Sequence, residues 1–79
     1  MITPAQCRAA RGLLKWTQEE LAVRSGVGAP AIINFEGGKT SPHKATLKVL
    51  RETCEKAGVI FIESDTEAGP GVRLRKPDS

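Results

Sequence analysis

The stretch that decides the fold runs from Thr17 to Lys39 and reads TQEELAVRSGVGAPAIINFEGGK. Thr17 and Glu20 have the spacing of a capping box, in which each side chain binds the backbone of the other. We therefore predict a helix over about Gln18–Ser25. Gly26 ends this helix, because glycine accepts the left-handed conformation that closes a helix.

A second short helix follows the turn, over about Ala29–Gly37. Pro30 is compatible only with its first turn, so the helix cannot begin much before Gly28. Ile32 and Phe35 lie three residues apart and face the same way, which places them against the rest of the domain. Two short helices joined through a glycine turn predict a helix-turn-helix, whose second helix projects outward.

Further helices are predicted on both sides of this motif. A cap followed by a first-position proline occurs twice, at Thr3-Pro4 and at Ser41-Pro42. The first pair, with Gln6 at capping-box spacing, predicts a helix over about 4–14. The second pair predicts the longest helix, over about 42–57.

The last part of the chain changes its period. Val59–Ile62 is a β-branched and aromatic run, and Val72–Arg75 alternates with Val72 and Leu74 inward, so both are predicted strands. Turn-forming residues over 63–71 separate them. The predicted fold is mainly α, with about four helices over residues 1–58. A C-terminal β-hairpin over 59–76 belongs to the same domain, and a disordered tail follows over 77–79.

The charge is unevenly distributed along the chain. Its 79 residues include 12 Lys or Arg and 9 Asp or Glu, and the net charge is +3 at pH 7. Residues 1–48 carry seven bases and three acids, whereas residues 49–79 carry five bases and six acids. A basic N-terminal half favours a polyanionic partner, and a merely solvated surface is the alternative.

Several classes of protein are disfavoured by what the sequence lacks. No window approaches ~18 consecutive apolar residues and no secretory signal pattern opens the chain, so we expect a cytoplasmic protein without membrane contact. Cys7, Cys54 and His43 are too few for a zinc site, and we expect no metal or cofactor and two reduced core thiols, to which a disulfide or redox pair is the alternative. Paired carboxylates, a nucleophile–base pair and a phosphate cradle are also missing, so no enzyme is predicted.

The motif and its flanks carry a family resemblance. The sequence resembles the phage-repressor and Cro-like helix-turn-helix family, also called the XRE family, at Gln18-Glu19-Glu20-Leu21-Ala22, Gly26-Val27, Ile32, Phe35-Glu36, Gly38 and Lys39. The resemblance covers about residues 5–57. It implies a lambda-repressor-like helical bundle that binds operator DNA, usually as a dimer. Members of the family act as transcriptional regulators, including antitoxins of toxin–antitoxin pairs.

The resemblance also implies roles for single residues. Arg11 and Glu36 match an internal ion pair between the first and third helices, and two exposed charges are the alternative. Gln18 matches a glutamine that meets a DNA phosphate and braces the third helix, and a plain helix-start residue is the alternative.

The positions that read bases in the family fall on Gly28, Ala29, Pro30, Ala31 and Asn34. A helix that reads bases strongly has Arg, Gln, Asn or Ser at these positions, and of the five residues here only Asn34 can form bidentate hydrogen bonds. Ala29 and Pro30 offer surface to thymine methyl groups, and Asn34 could bind an adenine edge or a phosphate. The prediction is double-stranded DNA binding of modest specificity, carried mainly by phosphates and DNA shape. A surface that reads no bases is the alternative.

The predicted phosphate contacts lie mainly where the third helix passes to the fourth. They are Gln18, Lys39, Thr40, His43 and Lys44. The free N–H groups at the start of the fourth helix would add donors. Arg8 and Lys15 of the first helix are further candidates.

The hairpin suggests a homodimer. The first strand, Val59, Ile60, Phe61 and Ile62, is apolar on both faces, and only one face can cover the helices. In so small a chain, a second copy is what can cover the other face, and it would supply a second reading head for a palindromic site. A hairpin lying flat on the fourth helix of a monomer is the alternative.

The alternative to a DNA-binding regulator is a protein-interaction module of the same fold, such as an antitoxin with a toxin partner.

Overall fold

Four helices and one hairpin follow each other along the chain in a computed structural model, which describes residues 1–77. The elements are α1 (Pro4–Leu14), α2 (Gln18–Ser25), α3 (Ala29–Glu36), α4 (Lys44–Lys56), β1 (Val59–Ile62) and β2 (Gly71–Leu74). The predicted fold class, a small helical bundle followed by a β-hairpin, is confirmed. Of the tail predicted over 77–79, Pro77 is exposed and residues 78–79 lie outside the described residues.

Local capping chemistry sets the starts of α1 and α2. The Thr3 hydroxyl accepts a hydrogen bond from the Gln6 N–H at 3.1 Å, and the Gln6 side chain accepts from the Thr3 N–H at 2.9 Å, so the first capping box is complete. At α2, Thr17 accepts from the Glu20 N–H at 3.0 Å, but the Glu20 carboxylate pairs with Arg24. The second predicted box is therefore only half formed, because the Glu20 carboxylate accepts from Arg24 four residues on and not from the Thr17 N–H.

The turn between α2 and α3 has the predicted geometry. Gly26 adopts a left-handed conformation with φ 76°, and its N–H donates to the Ala22 carbonyl at 2.9 Å. An L side chain at this φ would strain the backbone, so glycine is the residue that the turn requires.

The start of α4 differs from the prediction. The extended backbone of His43, with φ −56° and ψ 148°, makes His43 the N-cap, and its carbonyl accepts from the Leu47 N–H at 3.1 Å. Ser41-Pro42 therefore belong to an extended connection rather than to the first turn of the helix. As a result, His43 and Lys44 lie at the head of α4.

The core takes apolar residues from every helix and from the hairpin. Its buried members are Ile2, Cys7, Ala10, Leu21, Ile32, Phe35, Leu47, Leu50, Cys54, Val59 and Phe61. Both cysteines are free thiols. Among the described helices, none is long and apolar enough to cross a membrane.

The hairpin is antiparallel and lies on α1 and α4. Val59 pairs with Leu74 across the two strands, and Phe61 pairs with Val72. Val59 and Phe61 are buried, whereas Leu74, predicted to point inward, is 43% exposed. Leu74 lies on the same face as its partner Val59, but it is the last residue of the strand. The second strand also begins and ends one residue earlier than predicted, at Gly71 and Leu74.

Gln6 fastens the far end of the hairpin to α1. Its buried side chain donates to the Ile62 carbonyl at 3.2 Å and to the Gly71 carbonyl at 3.0 Å. The same side chain completes the capping box, so one residue sets both the start of α1 and the position of the hairpin. This satisfies backbone groups at the strand ends that would otherwise need water.

Candidate nucleic-acid interface

A buried carboxylate at the end of α3 holds three helices together. The side chain of Glu36 is only 2% exposed, and it accepts hydrogen bonds from the Arg11 guanidinium at 2.6 and 2.8 Å. Gln18 at the start of α2 donates to it at 3.1 Å, and the Cys7 thiol donates at 3.1 Å. The predicted partners Arg11 and Glu36 are thus in contact. Because all members of this network have partners, it fixes α3 relative to α1 and α2.

The protonation states of Glu36 and Cys7 agree with the hydrogen bonds of this network. Burial alone would raise the pKa of Glu36, but the hydrogen bonds from Arg11, Cys7 and Gln18 outweigh it, so the pKa lies below its ordinary value. Burial, followed by the hydrogen bond to Glu36, raises the pKa of the Cys7 thiol, which therefore keeps its proton and acts as a donor. Burial likewise raises the pKa of Cys54 to about 11. Glu36 is the anion of this network, and Cys7 is neutral.

Two further hydrogen bonds fix the surroundings of the network. Arg11 also donates to the Trp16 carbonyl at 3.1 Å, which links the network to the loop before α2. Arg8 donates to the backbone carbonyl of Glu36 at the C-terminus of α3. Arg8, a candidate phosphate contact in the sequence, therefore has a partner within the protein. Lys15, the other candidate on α1, is exposed.

The predicted base-reading residues lie along α3 as follows. Gly28 is the N-cap and is exposed, as are Pro30 and Ala31, whereas Ala29 and Asn34 are half-buried. Ile32 is fully buried and attaches α3 to the core. The outward surface of the helix is therefore mostly apolar.

Ile33 was missed by the sequence reasoning. Its side chain is 49% exposed, although its neighbour Ile32 is completely buried. In a helix, Ile33 lies on the same side as Ala29 and Pro30, which precede it by four and three residues. That spacing was the available signal, but Ile33 looks like a core residue in a short apolar run.

The loop after α3 presents the predicted phosphate contacts to solvent. Gly38 is left-handed with φ 73°, and its N–H donates to the Phe35 carbonyl at 3.0 Å. The Lys39 N–H donates to the Asn34 carbonyl at 2.9 Å, which completes a Schellman motif. This motif holds Lys39 next to Asn34. The exposed residues of this loop and of the start of α4 include Lys39, Thr40, His43 and Lys44.

The exposed charge of the chain segment that contains α3 has one sign. Between Gly26 and Lys48 the only acidic residue is Glu36, which is buried and paired with Arg11. The exposed charges of this segment are therefore positive. A surface of this kind attracts a polyanion along its whole length.

Other chemistry has little support. Within residues 1–77, no three His, Cys, Asp or Glu side chains are grouped so that they could hold a metal ion. Two shallow cavities contain no residue of α3, one lined by Ile2, Lys44 and Leu47 and another by Trp16 and Arg24. The Arg24 guanidinium lies over the Trp16 ring, 4.5 Å from its centroid, so Trp16 is partly buried between α2 and the end of α4.

The fold and this surface define a helix-turn-helix protein whose second helix is fixed by a buried ion pair and projects outward. Residues 8–58 match the model of a helix-turn-helix family of the XRE, Cro-like type, and this range is more than half of the chain. The chain belongs to this family of DNA-binding regulators, which are generally not enzymes. No curated protein matches the chain.

Proposed function

We propose that the protein is a transcriptional regulator that binds double-stranded DNA with α3 in the major groove. The observation that carries this proposal is the outward face of α3, fixed by Glu36 and bordered by exposed positive charge. An eight-residue helix held in this way fits the major groove, where an α-helix can reach base edges. Such a regulator would act in the cytoplasm, where Cys7 and Cys54 stay reduced.

Affinity in this account comes mainly from phosphate contacts. Lys39, Thr40, His43 and Lys44 supply side-chain donors beside α3, and the start of α4 supplies free N–H groups. The Gln18 amide already donates to Glu36, and Glu19 beside it is an exposed acid. The larger contribution therefore falls on the segment from Lys39 to Lys44.

Neutralising this segment tests the proposal. We expect Lys39→Gln and Lys44→Gln each to weaken binding on all duplexes, and each to lower the slope of log affinity against log salt by about 0.9. Lys76→Gln is the matched control, since it removes the same charge beyond the hairpin and should leave the slope unchanged. The measurement is a fluorescence-anisotropy titration at several salt concentrations. If both Lys39 and Lys44 variants bind as the unchanged protein does, the phosphate face is misplaced.

We further propose that two copies associate through the outer face of the hairpin. Ile60 and Ile62 are 39% and 40% exposed there, while Val59 and Phe61 of the same strand are buried. Across the hairpin Ile62 pairs with Gly71, which has no side chain, and Ile60 pairs with Arg73, so the two isoleucines are the large apolar side chains of this face. Burying this surface against its copy would pair two α3 helices for a palindromic site.

A charge placed on this surface should separate the two copies. We expect the unchanged protein to sediment at twice its 8.5 kDa chain mass and Ile60→Lys to sediment as a monomer. Val49→Lys is the control, because Val49 on α4 is similarly exposed, at 41%, and should leave the dimer intact. A monomeric unchanged protein at concentrations that saturate DNA would contradict the dimer.

A second candidate is an antitoxin-like module that binds a protein and reads little DNA. The observation that favours it is the scarcity of polar groups on α3, where Asn34 alone among the predicted reading positions can form a bidentate hydrogen bond. The salt titration separates the two candidates, since this module would show weak binding of duplex DNA at low salt.

A further inference from the structure

The apolar face of α3 is not explained by folding. Of the two adjacent isoleucines, Ile32 is buried in the core, whereas Ile33 is 49% exposed. Pro30 and Ala31 are exposed on the same helix. Pro30 precedes Ile33 by three residues and lies beside it on one side of α3, so these two form the exposed apolar patch, whereas Ala31 lies on the other flank of the helix.

The major groove offers one apolar group to such a patch. Each T·A pair carries the C5 methyl group of thymine there, and apolar side chains recognise it by burying it. The other base edges in the groove present hydrogen-bonding groups, for which Pro30, Ala31 and Ile33 have no side-chain partner.

We propose that α3 reads the C5 methyl groups of pyrimidines, with Ile33 as the main contact and Pro30 beside it. This inference rests on the proposed function and identifies what the same surface recognises. The favoured sites are therefore T-rich, and a cytosine methylated at C5 presents an equivalent group. Asn34, four residues after Pro30 and therefore on the same side of α3, carries an amide of the kind that binds the adenine of a T·A pair.

The positive charge of the segment that contains this patch favours DNA over a protein as its ligand. The exposed charged residues of the segment that contains α3, Lys39 and Lys44 among them, are basic, and the only acid is buried with Arg11. The positive side chains follow α3, at Lys39 and Lys44 among others, and the phosphates along an edge of the groove complement them.

The test changes the DNA and leaves the protein intact. Two duplexes of equal length are compared, one of alternating dA and dT and one of alternating dA and dU, which differ only in the C5 methyl groups. We expect the dU duplex to bind about three- to fourfold more weakly for each methyl group that Ile33 and its neighbours bury, with the same salt slope. A duplex of dG and 5-methyl-dC should likewise bind more tightly than its unmethylated form.

Ile33→Ala should lose most of the difference between the dT and dU duplexes. Val49→Ala, which shortens a similarly exposed residue on α4, should retain it. Equal affinity of the unchanged protein for both duplexes overturns this inference and leaves the proposed function intact, whereas no binding to either duplex at low salt overturns both. An Ile33→Ala variant with unchanged affinity for the dT duplex also overturns it, and assigns the patch to a protein partner.

Discussion

Replacing Glu36 by alanine is expected to lower the free energy of unfolding by about 3–5 kcal/mol, because one partner of a buried ion pair is removed. Arg11 would keep its charge without its carboxylate partner, and Gln18 and Cys7 would lose their acceptor. The Arg11 side chain is 18% exposed, so access to water places the effect near the lower limit. For a domain of this size, about 3 kcal/mol corresponds to a fall in Tm of about 12–24 °C.

The control for this prediction is Glu20→Ala. Glu20 also pairs with an arginine, Arg24, at 3.1 Å, but both side chains are exposed. Exposed pairs four residues apart in a helix contribute about 0.3–0.5 kcal/mol. Urea unfolding followed by the fluorescence of Trp16, the only tryptophan, measures both variants. Equal losses of stability in the two variants would show that the Glu36 network does not hold α3 in place.

Lowering the pH should weaken the same network. The pKa of Glu36 is lower in the folded chain than in the unfolded chain, because the bonds from Arg11, Cys7 and Gln18 outweigh the cost of burial. The stability due to this carboxylate is therefore fully present above its unfolded pKa and is lost as the pH falls through the folded value. Stability measured at successively lower pH should fall less steeply in Glu36→Gln than in the unchanged protein.

The second large expected effect is a difference in stability between the alanine variants of the two adjacent isoleucines of α3. Ile32→Ala should cost about 2–5 kcal/mol, since a fully buried side chain leaves a cavity beneath the helix. Ile33→Ala should change stability by no more than about 0.5 kcal/mol, because the side chain is half exposed and alanine favours a helix. The two variants have the same composition and differ only in the face of α3 that they alter.

Thermal and urea unfolding measure both variants, and DNA titration of Ile33→Ala completes the comparison. Ile33→Ala should fold as the unchanged protein does and bind the dT duplex more weakly. Similar costs for the two isoleucines, or a greater cost at Ile33, would mean that α3 is rotated from the orientation described above.

Much of the fold could be predicted because its boundaries depend on local chemistry. Thr3, Thr17 and Gly26 each act through bonds within a few residues, and α1 and α2 have the predicted ends. The start of α4 was predicted wrongly, since Ser41-Pro42 has the form of a helix start but lies in an extended connection that ends at His43.

Long-range contacts could not be predicted in the same way. Gln6 bonds to Ile62 and Gly71, and Arg8 bonds to the Glu36 carbonyl, across separations that no local pattern records. The exposure of Ile33 and Leu74 depends on where the core ends, which only the packed structure shows. The Arg11–Glu36 contact was expected because a family resemblance, rather than spacing alone, pointed to it.

Regulation by this helix-turn-helix protein is proposed to depend on duplex DNA bound through α3. The most direct test is selection of bound duplexes from a random pool, repeated at several ionic strengths. We predict enrichment of a T-rich palindrome and affinity that falls steeply with salt. Failure to retain any duplex at low salt would contradict the account.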